Sequence, residues 1–214
     1  MIQNKILLCD KKIETLLKDY TKNSSYQINK QGLTKKQVKG KNQPKFELPS
    51  LSYLYYGVDL FAIEGISMGT VLTLISEIGE DIHKFESAKQ FASFLRLAPN
   101  NRISGGKIIS SRTPKGANRM ALALRNAANT IDRLKRGNLV IFFRRIAYKK
   151  GRGAAITATA RKMAVIIWNM IVKKQAYQPM ETGHYKELVK QKRIASIRKM
   201  MKNSNIAMKE LSAT

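Results

Sequence analysis

Along the first 22 residues the apolar positions Ile2, Ile6, Cys9, Ile13, Leu16 and Tyr20 recur at spacings of 4, 3, 4, 3 and 4, which is the seam of a coiled coil. Three heptads serve equally well as the packed face of a short helix on its own domain, and both alternatives stand at this point. Residues 23–52 are polar and Lys-rich, hold Pro44 and Pro49 and show no period; they read as a basic linker. A compact helical unit is expected over 53–178. Its first part, Val58 to Ile63, then Glu64-Gly65-Ile66-Ser67-Met68-Gly69, then Thr70 to Ile78, predicts helix, tight turn, helix. Ser87 with Gln90 three residues on opens a further helix through Phe91, Ala92, Phe94 and Leu95, stopped by Pro99. Residues 99–116 read as a loop. Met120, Leu124, Ala127, Ala128, Ile131 and Leu134 then fall at helical spacing up to Gly137, and Leu139, Phe142, Phe143 and Ile146 begin another helix. After Gly151 and Gly153 an Ala- and Ile-rich helix runs to about Ala176, apolar on several faces and so expected at the centre. Residues 179–214 predict a basic helical tail. No stretch alternates at period two for long enough to predict a sheet, so the fold class is all-α: a compact helical domain with a helix-hairpin-helix-like turn, a coiled-coil-like helix before it and a basic tail after it.

Charge changes the picture more than composition does. The 214 residues carry 40 Lys and Arg against 14 Asp and Glu, a formal net charge of +26. Such an excess strains a compact fold by self-repulsion unless a polyanion offsets it, and nucleic acid is the usual polyanion. The single cysteine, Cys9, excludes an internal disulfide and the thiol-rich zinc patterns, and it fits a reducing compartment. No signal peptide is read, and the longest apolar run, Met163 to Val172, is cut by Asn169 and is too short for a membrane span. The expectation is a cytoplasmic protein with no membrane partner.

Between Ser87 and Met180 stand 20 Lys and Arg and one acid, Asp132. Two-metal nucleases need three or four clustered carboxylates, which this stretch cannot supply. The acidic cluster Glu77, Glu80, Asp81 and Glu86 reads as a solvated turn and cap, and His83 and His184 stand far apart with no ligand pattern or triad around them. No metal site and no cofactor are therefore assigned. The turn Gly65 to Gly69 is similar to a helix-hairpin-helix, in which free backbone amides and the following helix N-terminus grip a phosphate; a turn used only for packing fits as well. The loop Asn100-Asn101-Arg102-Ile103-Ser104-Gly105-Gly106-Lys107 sets a serine before two glycines, with Arg102, Lys107, Arg112, Lys115 and Arg119 nearby in sequence. A cationic pocket favours a serine alkoxide and neutralises charge on a phosphate under attack; a loop that grips phosphate without chemistry has the same spacing.

The order of motifs carries a resemblance. Ser76-Glu77-Ile78-Gly79, Phe91-Ala92-Ser93-Phe94-Leu95, Leu97-Ala98-Pro99, Ile103-Ser104-Gly105-Gly106-Lys107, Asn118-Arg119, Ala123-Leu124-Arg125-Asn126-Ala127-Ala128, Phe143-Arg144-Arg145 and Ala155-Ile156-Thr157-Ala158-Thr159-Ala160 follow one another. From about Tyr53 to Tyr177 the chain resembles the C-terminal part of insertion-sequence transposases of the IS110 (IS116, IS902) family. The resemblance implies a serine nucleophile, at Ser104 here, that attacks a DNA backbone and holds a strand as a phosphoserine ester. It also implies a structured guide RNA, a homo-oligomer, and a RuvC-like domain bearing metal-binding carboxylates, so that Mg2+ is expected only through that other domain. Two departures stand out: the family commonly has glycine where Arg96 stands, and often histidine where Arg161 stands.

The reading is a DNA-binding transposase part acting by phosphodiester strand exchange. Ser104 is its candidate catalytic residue, and Arg102, Lys107, Arg112, Lys115, Arg119, Arg125, Gly65 and Gly69 are its candidate nucleic-acid contacts. Whether this part is itself an enzyme stays open, because the RuvC-like half is expected from elsewhere. The alternative is a basic DNA- or RNA-binding protein without chemistry, or an inactive truncated copy.

Overall fold

A helix that is apolar on several faces has to be surrounded, and the Ala- and Ile-rich segment is. In the computed structural model, which describes residues 2–28, 33–34, 43–116, 118–179, 187, 190–191, 194–198 and 200–201, this segment is α7 (Arg152–Lys173). It packs against α4 (Ala88–Phe94), α5 (Arg119–Ile131) and α6 (Asn138–Lys150). Ala155, Ala160, Met163, Ala164, Ile167 and Ile171 are buried along it. The alanines let neighbouring backbones come close, while each fully buried Ile or Met contributes about 1.5–3 kcal/mol. Trp168 closes one side and donates its indole N–H to the Phe85 carbonyl at 3.1 Å. By length and composition α7 is the one described helix that could cross a membrane, longer than the apolar run anticipated from sequence. Half of its apolar window is buried inside the protein, so its apolarity has an internal destination.

α1 (Ile2–Thr21) lies on α2 (Leu48–Tyr56), and α3 (Met68–Glu77) lies on α5. α1 is a helix as expected, and Ile13, Leu17 and Thr21 form its packed side, whereas Ile2, Cys9, Leu16 and Tyr20 are exposed. Four of the six seam positions therefore face solvent, because the contact with α2 runs through a face turned one residue away.

Several boundaries differ from the sequence expectation. The basic linker ends earlier: Phe46, Leu48, Leu51 and Ser52 are already buried, and Pro49 sits in the first turn of α2, where a missing N–H costs nothing. Within the linker, Ser24 donates to the Leu54 carbonyl at 2.6 Å and Thr34 N donates to Asp59 at 2.8 Å, which ties it to the domain. Val58–Ile63 forms only a 3-10 turn, Leu60–Ala62, whose N-cap Asp59 accepts from Phe61 N at 2.9 Å. The helix expected to reach Leu134 stops at Ile131. A second 3-10 segment, Gly79–Lys84, links α3 to α4.

The mostly helical class holds, with one exception. Within the anticipated 99–116 loop stands an antiparallel hairpin, β1 (Arg102–Ser104) and β2 (Lys107–Ser110). Strands of three and four residues complete too few alternations to register as a period. Residues 178–214 form a separate unit. In it residues 187, 190–191, 194–198 and 200–201 are helical, and the rest of the expected tail lies outside the described residues.

Candidate nucleic-acid interface

The hairpin is built by its turn. Gly105 and Gly106 have φ of +54° and +74°, the pair of positive angles that a two-residue type I′ turn demands and that glycine adopts freely. An added Cβ at either would meet nothing within 4 Å, so the glycines serve backbone conformation and leave open space in front of the turn. Ser104 is the last residue before the turn and pairs with Lys107, and Arg102 pairs with Ser110 across a bulge between Arg102 and Ile103. At the base, Asn100 N donates to the Arg112 carbonyl at 3.0 Å. Arg102, Ser104 and Lys107 are all exposed, and Ile103 is 62% exposed. No described residue hydrogen-bonds the Ser104 hydroxyl, which leaves it available to an incoming group. Ser110 is half-buried and accepts from Arg112 N at 3.4 Å.

The other predicted contacts fall into two settings. Arg112 lies at the foot of the hairpin. Lys115 follows, and its carbonyl accepts from the Arg96 guanidinium. Arg119 opens α5, whose N-cap Asn118 accepts from Ala121 N at 2.8 Å. Its side chain is 85% exposed and pairs with Glu77 at 3.3 Å; an exposed pair of this kind contributes little stability, and it sets a carboxylate against the cation at a helix N-terminus, where the dipole disfavours positive charge. Arg125, half-buried, is further along α5.

Gly65 and Gly69 belong to the second setting. Gly65 has φ +82°, and a Cβ there would come within 2.9 Å of both the Ala127 carbonyl and Ile131 Cγ1, so this glycine is required by close packing on α5. Ser67 caps α3, accepting from Thr70 N at 3.2 Å. Glu64 accepts from Asn138 N at 3.0 Å and from the Tyr177 hydroxyl at 2.6 Å. Burial, and then this bond to Glu64, push the Tyr177 phenol well above its ordinary range. The turn is thus clamped to the start of α6 and the chain after α7, with a 3-10 turn in place of the first helix of a helix-hairpin-helix.

The acidic cluster is occupied by local partners: Glu77 by Arg119, Asp81 by Lys84 at 2.9 Å, and Glu86 by the Gln90 amide at 2.9 Å. Among the described residues no group of three His, Cys, Asp or Glu side chains could hold a metal ion, so these residues do not fit the Mg2+ that the resemblance implies. Asp132, the one acid of the basic stretch, pairs with Arg152 at 2.6 Å and Arg144 at 4.0 Å.

A further cationic group was not singled out from the sequence. Arg145, Lys149 and Lys150 of α6 and Arg161 of α7 meet Arg112 around one groove. Phe142 lies beneath Lys162 at 4.5 Å and Arg145 at 5.5 Å. Burial, followed by the nearby Arg145 charge, pulls the Lys162 pKa down against a smaller opposing pull from Glu64. The signal was present in the i,i+4 spacing of Arg145 and Lys149 and in Arg161, but the three segments meet only in the folded chain.

Residues 59–138, from the Asp59 turn through the hairpin and α5 to the start of α6, match the model of the Transposase IS116/IS110/IS902 family. The chain is also 26% identical over 126 residues to the transposase for insertion sequence element IS1111A of Coxiella burnetii (strain RSA 493 / Nine Mile phase I). That match takes in 55% of this chain and 33% of the relative's length. The central body is thus similar to the transposases of that family, and the chain spans about a third of the length of the relative it matches. No solved structure matches the chain.

Proposed function

We propose that this chain is the serine-bearing part of an insertion-sequence transposase, which grips DNA through its cationic face and uses Ser104 as nucleophile in strand exchange. The observation that carries the reading is the hairpin: an unpartnered hydroxyl at a two-glycine turn, flanked by Arg102 and Lys107, with no carboxylate among residues 99–116. In the proposed step the Ser104 Oγ–phosphorus bond forms as one phosphodiester P–O bond breaks. The serine proton passes to solvent or to a base outside this chain, and the strand on the leaving side takes up one proton from solvent and departs as a hydroxyl. The cations neutralise charge building on the pentacoordinate phosphorus. Mg2+ belongs to a RuvC-like domain in this reading, together with a structured guide RNA and a homo-oligomeric assembly. α1 supplies an oligomer contact through its exposed stripe.

The experiment supplies a RuvC-like domain in trans with guide RNA and target DNA, and looks for a covalent protein–DNA adduct by denaturing electrophoresis. Ser104→Ala is expected to abolish the adduct while leaving DNA affinity within a few fold, since one exposed hydroxyl adds little to a many-phosphate contact. Ser110→Ala and Ser111→Ala are expected to leave the adduct intact. An adduct that persists in Ser104→Ala removes Ser104 as the nucleophile. DNA binding without an adduct under any complementation supports the second reading, a binding protein without chemistry.

A further inference from the structure

The groove at the foot of the hairpin has about 800 Å³ of space, within the range of small-ligand sites. Its lining combines two kinds of chemistry. Leu97, Pro99, Ile146, Ala154 and Ala158 supply apolar surface, and Arg112, Arg145, Lys149, Lys150 and Arg161 supply charge. No acid lines it. The Nε of Arg161 is buried without a hydrogen-bond partner, a donor that costs free energy until an acceptor meets it.

We propose that this groove receives one unpaired nucleotide of the DNA strand engaged at Ser104, its base on the apolar surface and its flanking phosphates on the cations. The inference rests on the nucleic-acid reading above. Duplex backbone alone would make no use of apolar lining, because paired bases keep their faces stacked. An extrahelical base buries its faces on apolar side chains and on arginine planes. Continuity of chain argues for the strand at the serine: Ser111, Arg112 and Thr113 line the groove and follow β2 directly. Ser111 lies four positions after Lys107, the partner of Ser104, which is roughly 13 Å of extended chain. This is about four nucleotide steps along B-form DNA. The pocket would therefore select where a strand is unpaired relative to the phosphate under attack, a positioning role that phosphate contacts alone cannot supply.

The test measures affinity of the full chain by fluorescence anisotropy for a flush DNA duplex, the same duplex with a single-nucleotide bulge, and the matching bulged RNA. Wild type is expected to bind bulged DNA at least tenfold tighter than flush DNA. Ala154→Phe fills the groove from an exposed position; it is expected to erase that preference while flush binding stays within threefold. Should Ala154→Phe lose helicity by circular dichroism, Lys149→Glu with Lys150→Glu on the exposed rim provides the second variant. Bulged DNA should then lose more affinity than flush DNA by at least fivefold. Equal wild-type affinity for bulged and flush DNA overturns the pocket and leaves the nucleic-acid reading standing. Preference for the bulged RNA alone overturns the DNA assignment. No binding to any probe overturns the parent reading, and the pocket with it.

Discussion

Arg96 holds a backbone conformation that its side chain resists. Its φ is +55°, where an L-residue with a Cβ costs about 1–2 kcal/mol relative to the right-handed region. The resembling transposases commonly carry glycine at this position, the residue that removes this cost. Here the guanidinium donates to the Lys115 carbonyl and lies over Gly116, so it closes the segment that leads out of the hairpin. Strain and tether oppose each other. Arg96→Gly loses the tether and the strain together, and its unfolding free energy in urea is expected within about 1 kcal/mol of wild type. Arg96→Ala keeps the positive φ and loses the tether, and it should fall by about 1–2 kcal/mol. Equal stability of the two variants would show that the conformation carries no cost.

At the scale of elements, the Gly65–Gly69 turn and α1 each present two faces that substitution can separate. Gly65→Ala places a methyl group against the Ala127 carbonyl and the Ile131 side chain at φ +82°, and a loss above about 2 kcal/mol is expected. Gly69 is in the first turn of α3, and an added Cβ there meets only Ser67 Oγ at 3.8 Å. Gly69→Ala should therefore be neutral or gain about 0.5–1 kcal/mol in thermal unfolding. A drop in DNA affinity for the stable Gly69→Ala variant would give this turn the phosphate-gripping role; unchanged affinity leaves it to packing. For α1, replacing Ile13 damages the contact with α2, so the exposed stripe is the better probe of self-association. Leu16, 57% exposed, faces away from the buried Leu17. Leu16→Asp is expected to lower the oligomer mass by light scattering with helicity retained, whereas Leu17→Asp should loosen α1 from the domain. An unchanged mass in Leu16→Asp would remove the stripe from any oligomer contact.

The whole molecule is governed by its charge. At +26 the folded chain repels itself, and in the proposed binding each phosphate engaged would release counterions from the nucleic acid. If roughly six to ten phosphates are neutralised, affinity for a DNA duplex should fall about a thousandfold or more between roughly 50 and 200 mM salt. A titration that stays nearly flat would deny the electrostatic basis of binding. Single replacements of exposed hairpin cations such as Lys107 should lower the slope by about one phosphate each, because no one of them dominates a distributed contact.

What could be read along the chain was whatever is written in consecutive residues. The helical periods of α5, α6 and α7 come from burial of one face every 3.6 residues, and Ser87 caps α4 as its spacing with Gln90 anticipates, accepting from Gln90 N at 3.2 Å. The run of motifs from Ser76 to Ala160 and the Ser-Gly-Gly step at Ser104 are likewise local, and they carry the resemblance to the transposase family. The hairpin escaped because two strands of three and four residues carry almost no periodic signal and depend on Gly105 and Gly106 turning together. The buried side of α1 escaped because Leu17 and Leu16 look alike in sequence, and the surface of α2 chooses between them. The groove was out of reach for a deeper reason. Arg112, Arg145 and Arg161 are separated by 33 and 16 positions, and only the packing of α6 on α7 beside the segment after the hairpin turns three unremarkable cations into one site.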